Sequence, residues 1–329
     1  MTHITINVTS ADLANMRFAY NPLMELLNSY CLLFKPDRQA PHRRWVEEAL
    51  QTISGVDLPH LRAIGSIPHY TPDFLTAPPE TIITDIEDEF ERLRHVPLEV
   101  IRKNMAYAIQ LAGESEILLQ FMTHPREMIE CLIEDMRLYW QMTLSHHWPR
   151  MMSVLDGDVL YRARSLALEG TKALFSGLHP ELKLNGNKLI YTGWESTILV
   201  NQNMSLNGTG IQLVPEIFVH KFSWQIEPEW HPMLIYKARG TGLWWMENTE
   251  VANQSLEIAL GAGRARVLQM LATPASTGEI ARSLEITSGA ASQHLSRLQQ
   301  AGLTEPHRSG KRVYYHLTHR GEKLLALFL

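Results

Sequence analysis

Between residues 288 and 312, small, polar and basic side chains recur at a spacing suited to gripping a polyanion. Taken as a helix, Ser288–Ala301 puts Ala291, Leu295 and Leu298 on one face at about 100° per residue. The opposite face carries Gly289, Ser292, Gln293, Ser296 and Arg297. A small, polar helix start lets the backbone come close to base edges, and the free amides there attract phosphate. His294 stands at the border of the apolar stripe, where it can either pack or reach a base. Downstream, Leu303–His307 and Arg312–Leu317 can pair around Arg308-Ser309-Gly310-Lys311, which gathers Arg308, Lys311 and Arg312 at one basic tip. The chemistry this suits is duplex recognition. Ser292, Gln293 and Arg297 would read bases, and the tip cations would add salt-dependent attraction to the backbone or enter the minor groove.

The elements that must hold these groups can be read locally. A helix starting at Ser255 is interrupted by Gly261 and Gly263, continues through Ala272 and stops at Pro274. Ser276-Thr277-Gly278-Glu279 has the spacing of a capping box, ahead of a short helix that buries Ile280, Ala281 and Leu284. Thr287 caps the next helix, and Gly302 ends it. In the second hairpin strand, Val313, Tyr315 and Leu317 should face inward while Arg312, Tyr314 and His316 face outward. Thr318 caps a final helix. Helix, short helix, polar-faced helix, basic hairpin and helix make a winged helix.

Ser292-Gln293-His294-Leu295-Ser296-Arg297-Leu298-Gln299-Gln300-Ala301-Gly302-Leu303 resembles the recognition helix of ArsR-type winged-helix repressors, and Arg308–Tyr315 resembles their wing. Asn21-Pro22-Leu23-Met24-Glu25, Pro72–Pro79, Leu213–Phe218 and Tyr236–Gly240 extend the likeness to a subfamily with a large N-terminal domain of uncharacterised function. The resemblance implies a transcription regulator whose terminal helices dimerise, and it brings no ligand. It also implies metal sensing, from which this sequence departs. The helix before the recognition helix, Glu279-Ile280-Ala281-Arg282-Ser283-Leu284, has no cysteine or histidine, and His316, His319 and Glu322 are a poor ligand set, so no metal or other cofactor is expected.

The rest of the 329-residue chain is acidic. Net charge is -5 overall, but residues 288–329 carry +4, from six Lys and Arg against Glu305 and Glu322. A basic terminal module on an acidic body is the asymmetry of a DNA reader. With 45% hydrophobic residues the body can bury real cores. Helices are predicted near 12–34, 44–53, 84–93, 98–112, 114–123, 125–145, 149–155 and 158–176, with an extended ordered loop over 65–80. After Pro180, short β-rich runs around Asn185-Gly186, Asn207-Gly208 and Gly240-Thr241-Gly242 predict a small, mostly antiparallel sheet. The expected class is α+β. An N-terminal sensor domain would span 1–245, helical to about 179 and β-rich over 188–245, followed by a linker at 246–254 and the winged helix at 255–329.

Within the body, Trp140, Trp194, Trp224, Trp230 and Tyr236 are the candidates for lining a small-molecule pocket, against core packing for any one of them. His146 and His147, if helical, point about 100° apart and do not chelate simply. Asp156 and Asp158 around Gly157 suggest a turn or cap. Gly193-Trp194-Glu195-Ser196-Thr197 is not a nucleophile elbow, and no catalytic residues are assigned. Cys31 and Cys131 read as reduced core thiols. With neither an apolar span of membrane length nor a leader pattern, the expectation is a cytoplasmic protein without membrane contact. The apolar end Leu324–Leu329 should be buried, most simply against a second subunit. The sequence therefore predicts a homodimeric DNA-binding regulator, a repressor on a palindromic operator, answering to a small-molecule effector. The alternative is an enzyme or protein-interaction module that uses a winged helix for assembly.

Overall fold

The computed structural model describes the chain except residues 1, 80, 82–84, 194–201, 227–229, 242–255, 272–273, 310–311 and 328–329. The architecture is α+β, in two compact units. One comprises Met1–Pro149 with Glu169–Ala238; the other comprises Arg150–Leu168 with Arg239–Leu329. The candidate linker at 246–254 lies outside the described residues.

The helices of the first unit are α1 (Ser10–Ala14), α2 (Pro22–Leu33), α3 (Arg43–Thr52), α4 (Pro59–Gly65), α5 (Ile86–His95), α6 (Leu98–Ala112), α7 (Glu116–Thr123) and α8 (Pro125–Thr143), with α10 (Thr171–Leu178) after the long α9 (Trp148–Glu169). Pro22 and Pro125 sit in first turns, where a missing N–H leaves no bond unmade. Two four-stranded sheets accompany them. They are built from β1 (Thr2–Asn7), β2 (Arg17–Phe18), β3 (Leu182–Asn185), β4 (Lys188–Gly193), β5 (Gln202–Ser205), β6 (Gln212–Glu216), β7 (Ser223–Gln225) and β8 (Met233–Lys237), in the orders β3-β4-β1-β5 and β2-β6-β8-β7. The pairing is more mixed than the sequence suggests: β1 with β5, β2 with β6 and β6 with β8 run parallel. The N-terminal strands, absent from the sequence reading, pair with partners far along the chain, a register no local turn specifies. Alternation of Ile4 and Ile6 inward is their one local sign. Among its described residues the 65–80 stretch is ordered as expected, with Phe74, Leu75 and Ala77 buried and Asn21 donating to the Ala77 carbonyl at 3.2 Å.

Two carboxyls join α2 to β6. Glu25 is fully buried and accepts the backbone N–H groups of Ile217 at 2.6 Å and Phe218 at 3.1 Å. Glu216 is buried beside it, receiving Asn28 Nδ2 at 3.4 Å on one oxygen. Its other oxygen, Oε1, has no donor among the described residues. Desolvation is the main force on both, raising Glu25 to about 7, and the neighbouring Glu25 charge adds to the rise at Glu216. The folded chain therefore holds protons on this pair above the pH at which exposed carboxyls have released them.

Helix α9 is continuous where a break was expected. Asp158 is buried in mid-helix, not in a turn. It meets Arg162 one turn on at 3.4 Å and accepts the Arg239 backbone N–H at 3.1 Å. A buried carboxylate with two such partners is stable inside a helix where an unpaired one is not.

The rest of the second unit is α11 (Ala262–Met270), β9 (Ala275–Ser276), α12 (Thr277–Ser283), α13 (Ser288–Gln300), β10 (Thr304–Ser309), β11 (Arg312–Leu317) and α14 (His319–Leu327). The three strands form one antiparallel sheet in the order β10-β11-β9. Leu268, Leu271, Ile280, Leu295, Leu298 and Leu325 are among the residues of its core.

Candidate nucleic-acid interface

Local bonds set α13 in place. Ser276 Oγ accepts the Glu279 N–H at 3.4 Å, and Glu279 Oε2 accepts the Ser276 N–H at 2.7 Å, which closes the capping box on α12. Thr287 Oγ1 accepts the Ala290 N–H at 3.2 Å and starts α13, a cap of about 1 kcal/mol. At the far end Gly302 takes φ +69° while the Leu303 N–H returns to the Leu298 carbonyl at 2.9 Å, so the chain turns sharply into β10.

Between these caps Ala291, Leu295 and Leu298 are buried, and Ser288, Gly289, Ser292, Gln293, Ser296 and Arg297 are all exposed. The strip proposed from periodicity is therefore one continuous solvent face. His294 does not belong to it. Its half-buried ring packs on Gly263 of α11 so closely that a Cβ at 263 would collide with Nε2 and Cε1. The glycine that looked like a helix interruption makes room for this ring. Of the two roles open to His294, the packing one is what this contact supports.

The hairpin forms, but not in the expected register: Ser309 stands opposite Arg312 and Arg308 opposite Val313, so both belong to β10 and not to the turn, and Val313, expected inward, is exposed. Arg308 is exposed, Arg312 opens β11, and Lys311 lies outside the described residues. The outer face of β11 is not free, however. The Arg164 guanidinium of α9 lies 3.8 Å from the centroid of the Tyr314 ring, and Tyr161 meets His316 edge-on at 6.4 Å. Arg239 covers Tyr161 at 3.9 Å and reaches Glu322 at 3.7 Å. Alternation shows that a strand has two faces; it cannot name a cover that comes from a helix about 150 residues upstream. Glu322 and His316 are held by these contacts and by Glu305, 3.6 Å from His316, rather than gathered with His319 as ligands.

Residues 264–307 match the family model of a helix-turn-helix domain. The reduced HlyU of Vibrio cholerae N16961 is 30% identical over an alignment that covers 24% of this chain and 85% of that one, with a TM-score of 0.20. No curated protein matches the chain. The helix-turn-helix, its capped recognition-type helix and its wing make this chain, at that level, a DNA-binding regulator of the winged helix-turn-helix kind.

Of the aromatic residues proposed for a ligand pocket, Trp140, Trp224 and Tyr236 take part in packing. Trp140 is buried edge-on against Trp148 at 5.1 Å, Trp224 stacks by Tyr191 at 5.8 Å and Phe222 at 6.3 Å, and Tyr236 is fully buried on β8. Trp230 is half-buried, and Trp194 lies outside the described residues. A cavity of about 150 Å³ in the first unit is lined instead by residues including Tyr30, Cys31, Lys35, Ile64 and Tyr70. The sequence reading missed it, since α2, α4 and the 65–80 loop meet there only through tertiary packing. No helix among the described residues is long and apolar enough to cross a membrane.

Proposed function

We propose that the protein is a homodimeric, ArsR-type repressor whose α13 enters the major groove of a palindromic operator while its wing grips the flanking backbone. The observation that carries this reading is the exposed strip from Ser288 to Arg297, rigidly backed by Ala291, Leu295 and Leu298. Gln293 and Arg297 supply base-edge hydrogen bonds, Ser292 and Gly289 allow close approach, and Arg308, Lys311 and Arg312 supply phosphate attraction. Two-fold symmetry requires half-sites about one helical turn apart. Leu325 is buried in the core of the winged helix.

In this reading the N-terminal body senses and does not catalyse. Support comes from α9, which clasps the wing strand through Arg164 and Tyr161: a ligand or partner that biases α9 would alter how the wing is held. Selection of bound fragments from genomic DNA, followed by anisotropy titration at fixed salt, tests the function. The expected product is a palindrome with half-sites about one turn apart. Binding with no preference over scrambled duplex overturns the reading.

A further inference from the structure

His146 and His147 do not stand on a helix. They occupy a tight turn between α8 and α9, in which the Ser145 N–H reaches the Trp140 carbonyl at 2.9 Å and the His147 N–H reaches the Leu144 carbonyl at 2.9 Å. Off a helix, the two rings are not held about 100° apart. In the turn the rings lie side by side, with centroids 3.8 Å apart and planes 43° from each other.

A third donor is delivered by α3. Trp45 is fully buried, and its indole N–H donates to the Thr143 carbonyl at the end of α8 at 3.2 Å. That bond fixes α3 against the turn, and Glu48, one helical turn beyond Trp45, then faces both imidazoles. Glu48 Oε1 stands 3.4 Å from His146 Nε2 and 3.5 Å from His147 Nε2. One ligand atom from each of the three residues lies within 4.8 Å of the others.

These separations exceed a good N–H···O hydrogen bond, which falls at about 2.7–3.2 Å. They match the edge of a tetrahedron: donors about 2.0–2.1 Å from a zinc ion stand roughly 3.3 Å apart. Two imidazoles and one carboxylate select a borderline transition ion over magnesium or calcium, whose sites are built from oxygen. The burial is graded, with His147 enclosed and His146 and Glu48 open to solvent, which leaves a face for a water or a small anion. We propose that Glu48, His146 and His147 form a binding site for a divalent transition ion of the zinc type, three-coordinate from the protein with an open fourth position.

The test uses full-length, untagged protein stripped with a chelator. It is titrated with Zn²⁺ against a chromophoric competitor, and with Co²⁺ read by its visible absorption. One ion per chain is expected, with affinity falling at least about tenfold in Glu48→Ala and in His146→Ala. Both residues are half-exposed, so their loss spares the core, and near-ultraviolet circular dichroism checks that the fold is kept. Failure of the wild-type protein to take up either ion, or equal affinity in folded variants, overturns the proposal.

Discussion

Replacing Glu216 by Gln gives a quantitative handle on the buried carboxyl pair. Glu25 rises from its ordinary value of 4.5 to about 7 because burial desolvates it, although two backbone N–H groups and Glu216 itself pull the other way. Between those pH values an unfolded chain has released its proton while the folded chain still holds one. The folded state thus binds more protons, and stability falls as pH rises. The contribution is intact below about pH 4.5 and lost once pH passes 7. Two and a half pH units correspond to about 3 kcal/mol. In Glu216→Gln the raised Glu216 carboxyl no longer titrates, so its share of the pH dependence is lost, while burial still raises Glu25. Urea unfolding of both proteins at pH 5, 6, 7 and 8, followed by tryptophan fluorescence, measures the difference. The wild type should lose more stability than the variant from pH 5 to 8, since it alone carries the second raised carboxyl. A difference that stays constant across that range, or shrinks, refutes the raised Glu216 carboxyl.

Two further substitutions probe the second unit. A Cβ at Gly321 would land on the Leu303 carbonyl oxygen, a backbone atom with no side chain to swing aside, so Gly321→Ala must displace α14. Overpacking of about 1–3 kcal/mol outweighs a helix-propensity gain of at most about 1 kcal/mol, and unfolding of the variant at unchanged stability would contradict the packing. His294→Ala should lower stability modestly and leave base preference in a selected-site binding assay as it was. A shifted preference would return His294 to the DNA.

The winged helix was legible because its signals are local. Ser276 and Glu279 three apart, Thr287 before an amphipathic run and Gly302 after it each fix their own geometry, and the structure realises them, whereas the hairpin strand β10 runs on through Ser309 and Val313 is exposed, since alternation alone does not fix a register. His294 was legible only as a border residue, since its fate depends on Gly263 in another helix. In the body, periodicity placed α6 and α8 well, but β1 pairs with β4 and β5 across most of the chain, which no turn announces. Asp156-Gly157-Asp158 looked like a turn because the sequence does not show Arg239 arriving to satisfy Asp158. The cluster of Glu48 with His146 and His147 was hidden for the same reason, as it exists only where α3 docks on the end of α8.

The central claim is that the exposed face of α13 reads sequence while the wing supplies charge. Competition binding to the selected operator and its single-base variants, at two fixed salt concentrations, tests it most directly. Gln293→Ala with Arg297→Ala should weaken binding and flatten base preference, by about 1–3 kcal/mol for each lost bidentate contact. Arg308→Ala should weaken all sequences alike and reduce the salt dependence by about one phosphate contact. Unchanged base preference in the Gln293 and Arg297 variant would contradict the account.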